Sequence, residues 1–311
     1  MLRPRLILGF LLVAALAALC WLDAQAGRPG VYLAPLAVVL AALAAQEMLG
    51  LFHAGGHRPA AWSVLIGTLL PVLASGAPIV WKTYPANCPV GRLGWLACGL
   101  AAGLLVCLVG EMRRFHGPGG STANLALGAL SVLYVGGLMG FLVQLRLLPV
   151  MASDNLGSGE ASRSGLLALL SMILVVKMAD IGAYTAGHLW GRHKMAPVLS
   201  PGKTWEGAAG GLLVAMVGAL IAFGPLALML GYPSEKGWST WFGSSLAFGL
   251  LIGGAGMIGD LAESLLKRDA GVKDSSTWLP GFGGVLDLLD SLLVAGPVAY
   301  ACWLIGLVSL R

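Results

Sequence analysis

Between Gly259 and Ser291 the chain gathers the chemistry that it avoids elsewhere. This stretch holds six of the 14 acidic residues in the 311-residue chain: Asp260, Glu263, Asp269, Asp274, Asp287 and Asp290. Lys267, Arg268 and Lys273 are interleaved with them. Asp287 and Asp290 are three residues apart, so on a helix they face one way. They also stand at the start of that helix, where the dipole favours negative charge. Two aspartates on one helix and Asp260 on its neighbour repel one another, and a divalent cation relieves that repulsion. Hard oxygen ligands with substrate phosphates completing the shell point to Mg2+. The surrounding lysines and arginine suit a phosphate-rich substrate. A solvated loop of ion pairs is the plainer alternative. The placement of Asp287 and Asp290 within an otherwise apolar helix weighs against it.

Two upstream motifs have the same character. In Ser200-Pro-Gly-Lys203-Thr-Trp-Glu206, Pro201 and Gly202 force a turn and a helix begins at Thr204 or Glu206. A helix N-terminus with free N–H groups, a lysine and hydroxyls is a place to hold phosphate. The motif lacks the upstream glycine of a Walker A loop. An ordinary cap with a snorkelling lysine is its plainer alternative. Further upstream, Lys177 and Asp180 sit i,i+3 and can pair on one helix face. Such a pair also serves merely to neutralise charge within a membrane helix.

The elements that position these groups follow from composition. The chain is 58% hydrophobic and 11% charged, with mean hydropathy +0.85. A bilayer-crossing helix needs about 20 apolar residues. Nine runs qualify, near Leu6–Leu22, Val31–Phe52, Trp62–Trp81, Leu93–Gly110, Ala123–Leu145, Gly165–Leu189, Ala208–Gly231, Trp241–Leu266 and Val285–Val308. The runs are continuous, which excludes the alternating segments of a β-barrel. The expected fold is therefore an all-α, polytopic membrane bundle of about nine helices. Its 46 glycines suit close helix packing in lipid. Arg3, Arg5 and Ala24-Gln25-Ala26 give the first run a signal-like look, but its length and the spans that follow favour an uncleaved helix.

Residues 1–163 carry five spans and only five acids, Asp23, Glu47, Glu111, Asp154 and Glu160, and read as scaffold. Residues 164–311 carry four spans and both motif loops, and read as the catalytic part. The N-terminus and even-numbered loops bear eleven Lys and Arg against seven opposite, with Lys177 inside a span. That places the N-terminus and both motif loops on the cytoplasmic side, where the loops can meet. A net charge of +5 favours anionic lipid or nucleotide without arguing for nucleic acid. The five cysteines lack metal spacing and read as apolar fillers. His53 and His57 read as a surface pair, with no acidic or cysteine partner nearby for a metal site.

Ser264-x-x-Lys267-Arg268, Lys273-Asp274, Pro280-Gly-x-Gly-Gly284 and Asp287-x-x-Asp290 together resemble the signature of the phosphatidate cytidylyltransferase (CDP-diacylglycerol synthase) family. The SPGKTWEG segment and Asp180-x-Gly-Ala-Tyr184 resemble that family's other motifs, so the likeness covers about Gly165 to Pro297. Two positions depart from it: Phe282 stands where the family commonly has histidine, and Leu288 where it commonly has arginine. The resemblance implies transfer of a cytidylyl group from CTP to phosphatidate, with Mg2+ held by Asp260, Asp287 and Asp290 and room for a second cation. It implies a catalytic set of Asp260, Asp287, Lys267, Lys273 and Asp274, and substrate contacts from Asp180, Ser200, Lys203, Glu206, Ser264 and Arg268. It further implies a lipid substrate entering from the bilayer and a site at the cytoplasmic face of a bacterial inner membrane. Glycine-rich spans permit a homodimer. Two other readings remain open: a cytidylyltransferase acting on an isoprenoid or ether-lipid phosphate, and a non-catalytic or transport membrane protein, the transporter using Lys177, Asp180, Asp260 and Asp287.

Overall fold

The computed structural model describes residues 2–81, 88–148, 158–232, 237–276, 278 and 283–308. Phe282, the Leu279–Gly281 part of the glycine turn, Asp154, Lys82 and Lys236 lie outside them.

The chain is an all-α membrane protein. Its helices are α1 (Leu2–Gln25), α2 (Leu33–Ala54), α3 (Ala61–Ser75), a short α4 (Ala77–Val80) and α5 (Gly91–Arg113). Then come α6 (Ser121–Arg146), α7 (Ser158–Trp190), α8 (Trp205–Met229), α9 (Trp238–Asp269) and α10 (Val285–Leu304). Among the described residues seven helices, α2 and α5 to α10, are long and apolar enough to cross a bilayer. The other two expected spans fall on shorter apolar helices, Gly9–Gln25 and Ala61–Ser75. The second is short for a local reason. Pro71 lies inside α3, and Ser75 Oγ bonds back to the Pro71 carbonyl at 2.8 Å. The helix then ends at Gly76, and Pro78 starts the separate turn of α4.

The chain packs as two compact units, Met1–Gln144 with Leu266–Leu289, and Leu145–Leu265 with Asp290–Arg311. In the first, α3 and α5 approach through glycine. Pro71 has no N–H to return to the Gly67 carbonyl four residues back, and that carbonyl faces Gly103. A Cβ at Gly99 would stand 2.7 Å from Pro71 Cα. Remote acids supply the helix starts that lack a local cap. Asp23 accepts from the N–H groups of Gly30, Tyr32 and Leu33 at the head of α2, and Glu111 accepts from Ala60 at the head of α3 at 2.8 Å. Each satisfies N–H groups that a helix leaves orphaned.

The second unit uses the same small-residue contact between α7 and α8. A Cβ at Gly211 would meet the Ala179 carbonyl oxygen at 2.9 Å, and one at Gly182 would meet that of Gly210 at 2.8 Å. Phe223 packs edge-on against Phe248 and Trp303, with centroids 5.0 and 5.9 Å away. Gly259 of α9 lies directly against the Asp290 carbonyl of α10, an approach that a side chain would prevent. A two-stranded hairpin, β1 (Lys194–Ala196) and β2 (Ser200–Thr204), links α7 to α8.

Candidate functional site

In the second unit the motif residues come from α7, the hairpin, α9 and the start of α10. Thr204 ends β2 and caps α8, its hydroxyl accepting from Gly207 N–H at 3.1 Å. The helix thus starts where the SPGKT motif predicted. The antiparallel register pairs Lys194 with Thr204 and Ala196 with Ser200. Lys203, between these partners, extends its Nζ to within 2.8 Å of Asp260 Oδ2 on α9. Lys177 and Asp180 pair along α7 at 3.2 Å, as their spacing predicted. Asp180 is also within electrostatic reach of Asp260 and Lys203, and Asp290 within reach of Asp260 and Lys177. The unit therefore collects three aspartates and two lysines from four elements. Glu263 and Ser264 are buried on α9, and Asp290 is buried on α10.

Glu206, a substrate contact by the family resemblance, holds backbone in this structure. Its carboxylate accepts from the N–H groups of Arg192 and His193 and meets His193 Nδ1 at 2.5 Å, closing the hairpin onto the head of α8. Ser200 is half-buried at the start of β2.

The first unit holds the rest. Lys267, near the end of α9, bonds Asp287 Oδ1 at 2.5 Å, and both side chains are largely buried. Its partner Asp287 is 20 residues away in the chain. Asp287 Oδ2 accepts from Ser275 N–H at 3.1 Å, Ser275 Oγ at 2.7 Å and Gly284 N–H at 2.7 Å. Arg268 is exposed and donates to the Val272 carbonyl, and Lys273 and Asp274 are exposed on the following loop. Leu288 is half-buried. The two glycines that close the signature turn have distinct reasons to be glycine. Gly283 has φ +84°, which favours glycine, and a Cβ there would press on Asp287. A Cβ at Gly284 would strike Ser275 Oγ and the Glu47 carboxylate.

Glu47 is the functional-site neighbour that sequence reasoning missed. It is buried in the middle of α2 and was grouped with the scaffold acids. The available signal was a carboxylate inside an otherwise apolar 22-residue helix, the same criterion that singled out Asp287. Together with Leu43, Gln46, Gly50, Ser275, Ser276 and Trp278, it lines a cavity of about 180 Å³.

All five cysteines are free. Among the described residues, no three His, Cys, Asp or Glu side chains form a group that could hold a metal ion. What the second unit offers an anion is Lys177 and Lys203, each held by an aspartate, and a capped helix start that directly follows Lys203 in sequence.

Comparison with known proteins agrees with that chemistry. Residues 3–305 match the model of the Cytidylyltransferase family. A phosphatidate cytidylyltransferase of Synechocystis is 30% identical over 288 residues, covering 87% of this chain and 88% of the relative. One from Mycobacterium leprae is 30% identical over 241 residues, covering 74% and 69%. One from Haemophilus influenzae is 43% identical over 134 residues, covering 43% and 44%. With nearly its whole length matched, the chain belongs to the cytidylyltransferase family.

Proposed function

We propose that the protein transfers a cytidylyl group from CTP to phosphatidate, giving CDP-diacylglycerol and pyrophosphate for phospholipid synthesis. The observation that carries this reading is the family match across residues 3–305, which includes every charged motif described above. A phosphate oxygen of phosphatidate attacks the α-phosphorus of CTP. The bond from that phosphorus to the bridging oxygen breaks, and pyrophosphate leaves with the electron pair. Both reactants are anions, so positioning and charge neutralisation are the protein's main tasks. Phosphatidate is already ionised at neutral pH, so no general base is required. That makes phenylalanine at position 282 easier to accommodate.

Lys203 and Lys267 are assigned to the phosphates, with Arg268 and Lys273 offsetting charge as it develops. Ser200 and Ser264 donate hydrogen bonds, and Asp180 and Asp274 hold basic groups in place. Mg2+ is the metal that this reading implies. Asp260 and Asp290 provide hard oxygen donors that feel one another's charge, and Mg2+ characteristically takes one or two carboxylates plus water and substrate phosphates. Asp287, the third residue of the expected ligand set, instead spends its oxygens on Lys267, Ser275 and Gly284. When bound, the ion screens the triphosphate and the departing pyrophosphate. On the nine-span reading, the excess of Lys and Arg, eleven against seven, favours the cytoplasmic side for the motif loops.

The test is incorporation of radiolabelled CTP into chloroform-extractable lipid by purified protein with phosphatidate and Mg2+, with Asp287→Asn alongside. Label that depends on phosphatidate and is lost in the variant is the expected result. No label above the variant, from folded protein, overturns the reading. Label only with an isoprenoid phosphate moves it to another lipid acceptor.

A further inference from the structure

Glu47 makes four hydrogen bonds, all to residues at least 228 positions away in the chain. Val285 and Leu286 N–H, at the start of α10, donate to it at 2.8 and 2.7 Å. Ser275 Oγ and Ser276 Oγ lie at 3.0 and 2.9 Å. At the head of α10 the local Asp287 takes the Gly284 N–H, and the remote Glu47 carboxylate takes the next two, Val285 and Leu286.

The clamp reaches further than a cap. Ser275 Oγ stands 3.0 Å from Glu47 Oε2 and 2.7 Å from Asp287 Oδ2. One hydroxyl has one proton, so the two carboxylates share it. Asp287 in turn holds Lys267. Gly284 fits the same design, since a Cβ there would fall on both Ser275 Oγ and Glu47.

We infer that Glu47 is a positioning residue for cytidylyl transfer, fixing Asp287 and Lys267 through Ser275 and the head of α10. This rests on the function proposed above. Loosening the clamp lets the Asp287–Lys267 pair wander, which weakens stabilisation of the developing charge more than substrate binding. The kinetic signature is therefore a fall in kcat with KM little changed.

The experiment uses the full chain in detergent or nanodiscs, with steady-state labelling over a range of CTP concentrations and a thermal unfolding curve for each variant. Glu47→Gln keeps the size but turns an amide group toward N–H donors. It is expected to lower kcat about tenfold or more with KM for CTP within about twofold, and Glu47→Asp to recover part of the loss. Ser275→Ala removes the shared hydroxyl and leaves the cap intact; its kcat should fall roughly threefold to tenfold. In the double variant the loss should be well short of the product of the single losses, because both act on Asp287 by one route. Glu47→Gln with kcat within about twofold of the natural chain, or multiplicative losses in the double variant, overturns the inference. Where Glu47→Gln is not recovered folded, Ser275→Ala decides alone, and an unchanged kcat overturns it. A natural chain that makes no labelled lipid sinks the proposed function itself, and this inference with it.

Discussion

The buried acids Asp23, Glu47 and Glu111 and the part-exposed Asp180 and Asp260 are used in opposite ways. Asp23, Glu47 and Glu111 are buried and spend their oxygens mainly on backbone N–H groups at the heads of other helices. Asp180 and Asp260 are partly exposed and hold lysines. Removing a buried acceptor leaves donors without a partner in a place water does not reach, which costs about 1–3 kcal/mol per group. Breaking a part-exposed ion pair costs about 1 kcal/mol or less. The first kind of acid builds the protein. The second kind is cheaply exchanged for another anion, which is what a phosphate-binding site requires. Asp287 belongs to both kinds, since one oxygen holds Lys267 and the other takes backbone and serine donors.

The strongest break of this contrast is at the Lys203–Asp260 pair. Lys203→Ala should lower kcat/KM for CTP by about a hundredfold or more, as expected for loss of a group that neutralises transition-state charge. Its thermal unfolding should stay close to that of the natural chain, because the pair itself contributes about 1 kcal/mol or less. Radiolabel incorporation and a melting curve on one preparation check both halves. A large drop in melting temperature with kinetics preserved would put Lys203 among the structural residues.

Gly284→Ala comes next. Its methyl group must displace Ser275 Oγ or Glu47; overpacking of this kind costs roughly 1–3 kcal/mol, and labelling activity should fall with it. Normal activity and stability would mean that the turn has room the structure does not give it. Glu111→Ala sharpens the comparison from the other side. It orphans the Ala60 N–H, so stability should fall by about 1–3 kcal/mol, while specific activity of the folded fraction is unchanged. The smallest effect belongs to Thr204→Ala, which removes the cap of α8 at a cost of about 1 kcal/mol. Here a modest loss of stability with near-normal KM for CTP is expected, and a large rise in KM would assign the hydroxyl to substrate instead.

Legibility in the sequence followed distance along the chain. Lys177–Asp180 and the Thr204 helix start were both readable, because their partners lie three residues away on one helix turn. Hydropathy located the seven helices that, among the described residues, are long enough to span, and the two shorter apolar ones. The shortness of α3 was signalled by Pro71 and Gly76, which a hydropathy run passes over. That Glu206 ties the hairpin to α8 was not readable, because a two-stranded link of this length leaves no periodic trace.

Membrane residence, the helical class, the charged motifs and the family were therefore determined by sequence alone. Apolar run length, residue type and short spacing encode them directly. Which charge meets which was decided only by tertiary structure. Lys203 finds Asp260 across 57 residues, Lys267 finds Asp287 across 20, and Glu47 reaches Ser275, Ser276, Val285 and Leu286 from the far end of the chain. These partners are brought together by glycine-lined helix approaches and by the need of each buried N–H for an acceptor, and neither requirement has a fixed spacing in sequence.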